Sequence, residues 1–250
     1  MMTEVTFDET VLSSLRGKVA LVTGIALLQS FLMTGGASGI GRATVELFHR
    51  SGAYVVFSDV NDEEGIQFEK DLGTYLLILV IAQIRRCAYI RADVQSWSSM
   101  NTLFLTTWNA CGKIDIVVAN AGLQTTSFWK DLLDINGDLK EPDWKVIDTN
   151  LKGIMATAKL ALYYFQKNEN PGGRCVIIGS PEGYLRGSKQ SGPTAEYVAT
   201  EHGVRIWPGR VDVGYRISES SIPCFPCTQL SNLWNCALAY GNYIHIACAS

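Results

Sequence analysis

Thr34-Gly35-Gly36-Ala37-Ser38-Gly39-Ile40-Gly41 sets three spaced glycines, Gly35, Gly39 and Gly41, directly before a helical pattern from Arg42 to Arg50. Glycine is needed where the backbone turns tightly, where φ is positive, or where a phosphate approaches main-chain N–H groups. A helix starting there offers unpaired N–H donors and the positive end of its dipole to a pyrophosphate. Downstream, Ala53-Tyr54-Val55-Val56-Phe57-Ser58-Asp59 has the composition of a strand and ends on a carboxylate. That acid lies about 20 residues past the loop, where it can accept hydrogen bonds from an adenosine ribose. Helix, strand and acid in this order point to dinucleotide binding, which the glycines alone would not.

The rest of the chain alternates in the same way. Its composition predicts strands over 18–23, 53–59, 87–92, 114–119 and 174–179, and helices over 39–50, 61–72, 96–111 and 142–168. Alternation at these lengths implies parallel pairing, hence an α/β fold: a doubly wound, Rossmann-like, three-layer parallel sheet in one domain spanning 1–250. Ligands of such sheets lie at the carboxyl ends of the strands. Gly35 to Gly41, Asp59, Asp93, Asn120, Ser180 and Tyr197 all follow predicted strand ends.

The spacing Thr-Gly-x3-Gly-Ile-Gly resembles that of the short-chain dehydrogenase/reductase family, and more of the family's pattern follows in order. Asp93-Val94 ends a strand as the family's adenine-contacting pair does. Asn120-Ala121-Gly122 resembles the family's Asn-Asn-Ala-Gly, with Ala119 in place of the first Asn. Asn150, in Trp144-x5-Asn150-Leu151-x-Gly153, is similar to the family's structural and catalytic Asn. Ser180 closes the strand Cys175-Val176-Ile177-Ile178-Gly179, and Tyr197 follows. These matches cover about residues 17 to 200.

The resemblance implies a secondary-alcohol dehydrogenase or ketone reductase. Tyr197 would be the general acid/base, Ser180 would bind the substrate oxygen, and Asn150 would support a proton-relay water. Gly35, Ser38, Gly39, Ile40, Gly41, Asp59, Asp93, Val94, Asn120, Gly122 and Val211 would hold the cofactor. Asp59 favours NAD over NADP, because its charge repels a 2′-phosphate. A small alcohol or ketone would be the substrate, and a homo-oligomer is compatible with the family.

Three departures from the pattern matter. Between Thr23-Gly24 and the second Thr-Gly lies Ile25-Ala26-Leu27-Leu28-Gln29-Ser30-Phe31-Leu32-Met33, an insertion over 25–34. A second apolar insertion covers 74–85, including Tyr75-Leu76-Leu77-Ile78-Leu79-Val80-Ile81. Each is a largely apolar run of about ten residues, too short for a membrane span of about 20. Removing either restores the family spacing. One reading is a retained intron translated in frame; the other is a real hydrophobic addition serving a membrane surface or an oligomer contact. The first is favoured, since an insertion beside a phosphate loop would disturb the site.

The third departure is catalytic. The family's Tyr-x3-Lys supplies a cation beside a phenol whose ordinary pKa is about 10. Here Glu201 stands four residues after Tyr197, and no Lys follows Lys189. A carboxylate shifts a phenol the wrong way. The sequence after Tyr197 reads as though most of the helix carrying the Lys, with part of the next strand, were deleted. Slow turnover or none is the expectation, and a nucleotide-binding remnant or misspliced product is the alternative to an active enzyme. The gap from Ser180 to Tyr197 also exceeds the family's usual dozen or so residues. The tail, 213–250, shows neither the family's substrate lid nor its last strand, and holds four of the seven cysteines.

Composition excludes other classes. Hydrophobic content of 47% and charge of 18% are globular values, so disorder is not expected. A net charge of −3 gives no reason to expect nucleic acid as partner. The acidic N-terminus (Glu4, Asp8, Glu9) is no secretory signal, and a reduced, cytoplasmic state is the expectation for this cysteine usage. His49, His202 and His245 have no metal-ligand spacing, and Cys224-Phe225-Pro226-Cys227 lacks a second pair. Gly179-Ser180-Pro181-Glu182-Gly183 lacks the spacing of a hydrolase elbow.

Overall fold

A computed structural model describes residues 12–24, 39–72, 87–123, 133–180, 183, 195–206 and 243–249. Five strands pair in parallel: β1 (Val19–Thr23), β2 (Tyr54–Asp59), β3 (Cys87–Arg91), β4 (Ile116–Ala119) and β5 (Gly173–Gly179). The order across the sheet is β3-β2-β1-β4-β5, with β6 (Tyr243–Ala249) beyond β5. β1 is buried along its whole length, as expected of a central strand covered on both faces. The order reverses between β1 and β4, which opens a crevice at their carboxyl ends.

Four helices join these strands: α1 (Ile40–Arg50), α2 (Asp62–Asp71), α3 (Trp97–Cys111) and α4 (Ile154–Lys167). A helical turn, Lys145–Ile147, and a π-helical stretch, Asp148–Gly153, lead into α4. A fifth helix, α5 (Ala195–Ile206), follows β5. The local sequence explains several of the ends. The Asn61 side chain accepts from Glu64 N at the start of α2, where Asp62, Glu63 and Glu64 face the positive dipole end. Ser96 caps α3 in the same way, accepting from Ser99 N.

Two apolar layers sandwich the sheet. One packs Phe104, Met100, Ala161 and Phe165 of α3 and α4 against Leu21, Val117 and Ile177. The other packs Val45, Phe48 and Phe68 of α1 and α2 against Ala20, Val22, Val55 and Phe57. Each buried Leu, Val or Phe contributes about 1.5–3 kcal/mol, so these layers hold the strand ends in fixed register.

The predicted strands and the doubly wound plan agree with this structure. The helix expected over 142–168 starts at Lys145 and contains the π-helical stretch. The helix read as shortened after Tyr197 is the 12-residue α5, which runs through Tyr197 and Glu201 and is anchored in the core by Val204. One reading is corrected. Where the tail showed no closing strand, β6 pairs antiparallel with all of β5, from Gly179↔Tyr243 to Gly173↔Ala249. That pairing satisfies the outer row of N–H and C=O groups on β5, which a missing parallel neighbour would have left open. The insertions over 25–34 and 74–85 lie outside the described residues, as does the tail from 213 to 242.

Candidate active site

The crevice between β1 and β4 is built on close backbone approaches. β1 ends at Thr23, and Gly24 turns out of it with φ +71°. A Cβ on Gly24 would stand 2.8 Å from Ala121 N. A Cβ on Gly41 would stand 2.6 Å from Asn120 Nδ2 and would also run into the Gly24 carbonyl. Only glycine fits at either position. The Asn120 side chain donates to that same carbonyl, and Asn120 N donates to Thr23 Oγ1 at 3.3 Å. Loop end, helix start and β4 end are thereby tied together.

Gly39 precedes α1 in extended geometry, and no side chain caps the helix. The first-turn N–H groups are therefore served by no capping residue, and they carry the positive dipole end into the crevice. Ile40 packs inward at the same turn. Gly35 and Ser38 lie outside the described residues. Gly24, absent from the sequence-derived contacts, occupies the position at the strand end that Gly35 was expected to fill. The signal was present, because the first of the two Thr-Gly pairs follows the strand directly.

Beside this crevice, Asp59 ends β2 and is 9% exposed. Its Oδ1 accepts from Asn61 N at 3.0 Å. Tyr89 Oη lies 3.0 Å from both the Asp59 carbonyl and Asp62 Oδ1, and Arg91 Nε lies 3.2 Å from Asp62 Oδ2. Burial first, and then the Asp62 hydrogen bond and charge, hold the Tyr89 phenol well above its ordinary value. It therefore acts as a neutral donor that fixes the end of β2. Asp93 follows β3: its N–H donates to Ser99 Oγ at 3.0 Å, and its Oδ1 accepts from Gln95 N at 2.9 Å. Val94 packs on Gly153 in the π-helical stretch.

On the other side of β4, Asn150 is 2% exposed. Both ends of its amide grip Leu123: Oδ1 accepts from Leu123 N at 2.7 Å, and Nδ2 donates to Leu123 O at 2.8 Å. This clamp fixes the chain just after Gly122, which is exposed. The Asn150 side chain is thus used for positioning.

Ser180, 6% exposed, follows β5, and its carbonyl accepts from Gly183 N at 3.1 Å. α5 packs on β5 and on the π-helical stretch. Tyr197 is half-buried in its first turns, and Thr200 Oγ1 donates to the Tyr197 carbonyl at 2.7 Å. One turn further, Glu201 is 7% exposed, and its carboxylate takes the Ser180 backbone N–H. A Cβ on Gly183 would stand 2.7 Å from Glu201 O, so the turn after Ser180 is pressed against α5. Glu201 Oε2 is buried without a hydrogen-bond partner. Burial raises the Glu201 carboxyl to about 7, a rise that the Ser180 N–H partly offsets.

The structure thus brings Gly41 and Asn120 together, Asn150 and the segment after Gly122, and Ser180 and Glu201. Val211 lies outside the described residues. Among the described residues, no group of three or more His, Cys, Asp or Glu could hold a metal ion, and no helix is long and apolar enough to cross a membrane.

The family model of short chain dehydrogenases matches residues 29–208. A short-chain dehydrogenase/reductase of Acremonium egyptiacum is 33% identical over 205 residues, 81% of this chain and 59% of the relative. The mitochondrial borneol dehydrogenase of Lavandula x intermedia is 30% identical over 195 residues, 78% of this chain and 62% of that one. The (-)-trans-carveol dehydrogenase of Rhodococcus erythropolis is 33% identical over 183 residues, 70% and 61% of the two chains. This chain therefore spans less than two thirds of each relative's length. A crystal structure of a short chain dehydrogenase from Mycobacterium smegmatis superposes with a TM-score of 0.61 at 24% identity, covering 82% of this chain and 73% of that one.

Proposed function

The chain belongs to the short chain dehydrogenase family, and on that premise we propose that it is an NAD-dependent oxidoreductase interconverting a secondary alcohol and a ketone. The observation that carries this reading is the crevice where Gly24, Gly41 and Asn120 meet beneath the uncapped start of α1. A Cβ at either glycine would fill that cradle, and the helix start offers donors and positive potential to a pyrophosphate.

In this proposal the N–H groups of Gly39, Ile40 and Gly41 hold the pyrophosphate. Asp59 takes the adenosine ribose, and Asp93 with Val94 flanks the adenine. Asn120 and Gly122 line the path toward the nicotinamide, with Gly35, Ser38 and Val211 as further contacts carried by the family resemblance. When bound, NAD supplies hydride acceptance from the carbinol carbon. NADP is disfavoured, because a 2′-phosphate would meet the Asp59 carboxylate.

The protein's own part is orientation and proton transfer. Ser180 would present its hydroxyl to the substrate oxygen, and Tyr197 would exchange the proton. Asn150, through its clamp on Leu123, would hold the neighbouring backbone still enough to support a relay water. A cytoplasmic location and a homo-oligomer belong to the same proposal; the free thiols of Cys87, Cys111 and Cys175 support a reducing compartment. The competing reading is a nucleotide-binding remnant, favoured by Glu201 in the place of a lysine. Absorbance at 340 nm with a panel of secondary alcohols and NAD separates the two: NADH formation supports the enzyme, and NAD binding without turnover supports the remnant.

A further inference from the structure

We propose that Asp62 is a second residue that sets this site against NADP, because it holds Arg91, the cation that would otherwise meet a 2′-phosphate beside Asp59. The inference deepens the dinucleotide reading above and rests on it. Its basis is the packing at the ends of β2 and β3. Asp59 and Arg91 are register partners, and Phe57 and Tyr89 are partners two residues earlier, on the same face of the sheet. The Phe57 and Tyr89 ring centroids lie 5.7 Å apart on that face, and adjacent strands stand about 4.8 Å apart. Arg91 thus sits beside the residue assigned to the adenosine ribose.

What Arg91 meets there is Asp62. Arg91 Nε lies 3.2 Å from Asp62 Oδ2, and Tyr89 Oη lies 3.0 Å from Asp62 Oδ1. Both carboxylate oxygens are therefore engaged by side chains of β3. Tyr89 is itself fixed: its hydroxyl also lies 3.0 Å from the Asp59 carbonyl, and a Cβ on Gly65 would run into its ring. The arginine in the first turn of α1, Arg42, is taken by Glu46 at 3.4 Å and Asp71 at 3.2 Å, and lies over the Phe68 ring. The stretch 25–38 contains no Lys or Arg. A 2′-phosphate would thus face the Asp59 carboxylate while the arginines of α1 and β3 are held by other acids.

A guanidinium matches a phosphate with two parallel hydrogen bonds, and an Arg near the end of the second strand is how sheets of this kind accept NADP. Here that guanidinium is present but committed. Discrimination then has two parts: the Asp59 charge repels the phosphate, and Asp62 keeps Arg91 from offsetting that repulsion. Both partners of the ion pair are more than half exposed, so the pair adds little to the stability of the fold. Its effect falls on ligand choice, and Asp62 acts there as a positioning residue, through Arg91.

Binding titrations on the full chain test this without turnover. NADH and NADPH are titrated by fluorescence into the parent, Asp62→Asn, Arg91→Gln and the double variant. The adenosine end is probed separately by calorimetry with 5′-AMP and adenosine 2′,5′-bisphosphate. Asn keeps a side-chain oxygen for the Tyr89 hydroxyl, so Asp62→Asn removes the charge and spares that contact. It should raise the affinity for NADPH relative to NADH about 10-fold, with the same direction for the bisphosphate relative to 5′-AMP. The gain should shrink as salt is raised, because the pair is exposed, and should vanish in the double variant. Arg91→Gln alone, which leaves the Asp62 charge uncompensated, should move the ratio the opposite way. A ratio left in place by either single variant overturns the proposal. So does a gain that survives in the double variant, since loss of one negative charge would then explain it without Arg91. A parent that binds NADH while these ratios stay put loses this inference alone, whereas a parent that binds neither NADH nor 5′-AMP loses the dinucleotide reading with it.

Discussion

Replacing Glu201 by Gln should change how the stability of the fold depends on pH, by an amount the burial of this one side chain sets. A free Glu titrates near 4.5, whereas Glu201 in the folded chain titrates near 7. Between those values the folded state binds a proton that the unfolded state has lost. Stability therefore falls as pH rises through this window: it is fully present below about 4.5 and lost above about 7. At about 1.4 kcal/mol per pH unit, the loss is about 3 kcal/mol. The Gln amide brings a separate, pH-independent cost, because its N–H₂ enters a site built around the Ser180 N–H donor; an unpaired buried donor costs about 1–3 kcal/mol. Glu201→Gln should thus be no more stable than the parent at pH 4, and should gain on it by about 3 kcal/mol between pH 4 and 8. Urea unfolding of both proteins at half-unit steps measures this, and other titrating groups cancel in the difference. A stability difference that stays flat across pH 4–8 would refute the account of Glu201 as a buried, proton-binding carboxyl.

Other outcomes follow from the same geometry. Asn150→Ala, which leaves the Leu123 N–H and C=O without their clamp, should cost about 1–3 kcal/mol and speed exchange of the Leu123 amide; unaltered exchange would contradict the clamp. Gly41→Ala forces the Gly24 loop off Asn120 and should destabilise by about 1–3 kcal/mol, lowering the melting temperature by several degrees and weakening NAD binding in titration. Excising 25–34 together with Gly35, which duplicates Gly24, should raise soluble yield and melting temperature, because Gly24 and Gly41 already meet without the intervening apolar run; a trimmed chain that aggregates more would show that the run packs productively. Glu201→Lys alone should not raise the rate in the 340 nm assay, since the new ammonium would sit in a buried pocket shaped by a carboxyl, whereas restoring the full family-length helix should raise it.

Much of the fold was legible because the central strands are continuous buried runs and the helices carry their own start signals. Val19–Thr23 and Ile116–Ala119 could be covered on both faces only in a doubly wound sheet, and Asn61 and Ser96 mark helix starts by their side chains. The edge beyond β5 was not legible. β6 depends on a pairing about 70 residues away in sequence, and no local pattern announces that partner. The shortening of α5 was legible only against the family's length, and the core anchor that Val204 gives the remaining 12 residues depends on tertiary packing. Within the candidate site, Asp59 was pointed to by its spacing from the glycine run, and Asn120 and Asn150 by the resemblance to the family. Gly24 was passed over because the second glycine run looked the more complete. The environment of Glu201 could not be read at all: whether a carboxyl is solvated and ionised, or buried near neutrality, depends on what packs over it.

The claim on which the rest depends is that the crevice formed by Gly24, Gly41, Asn120 and Asp59 binds a nicotinamide dinucleotide. Fluorescence titration of the purified full chain with NADH and with NADPH tests it directly. The account predicts saturable binding of NADH and weaker binding of NADPH, with the preference lost when Asp59 is changed to Asn. No saturable binding of either cofactor by the folded protein, or tighter binding of NADPH by the parent, would contradict it.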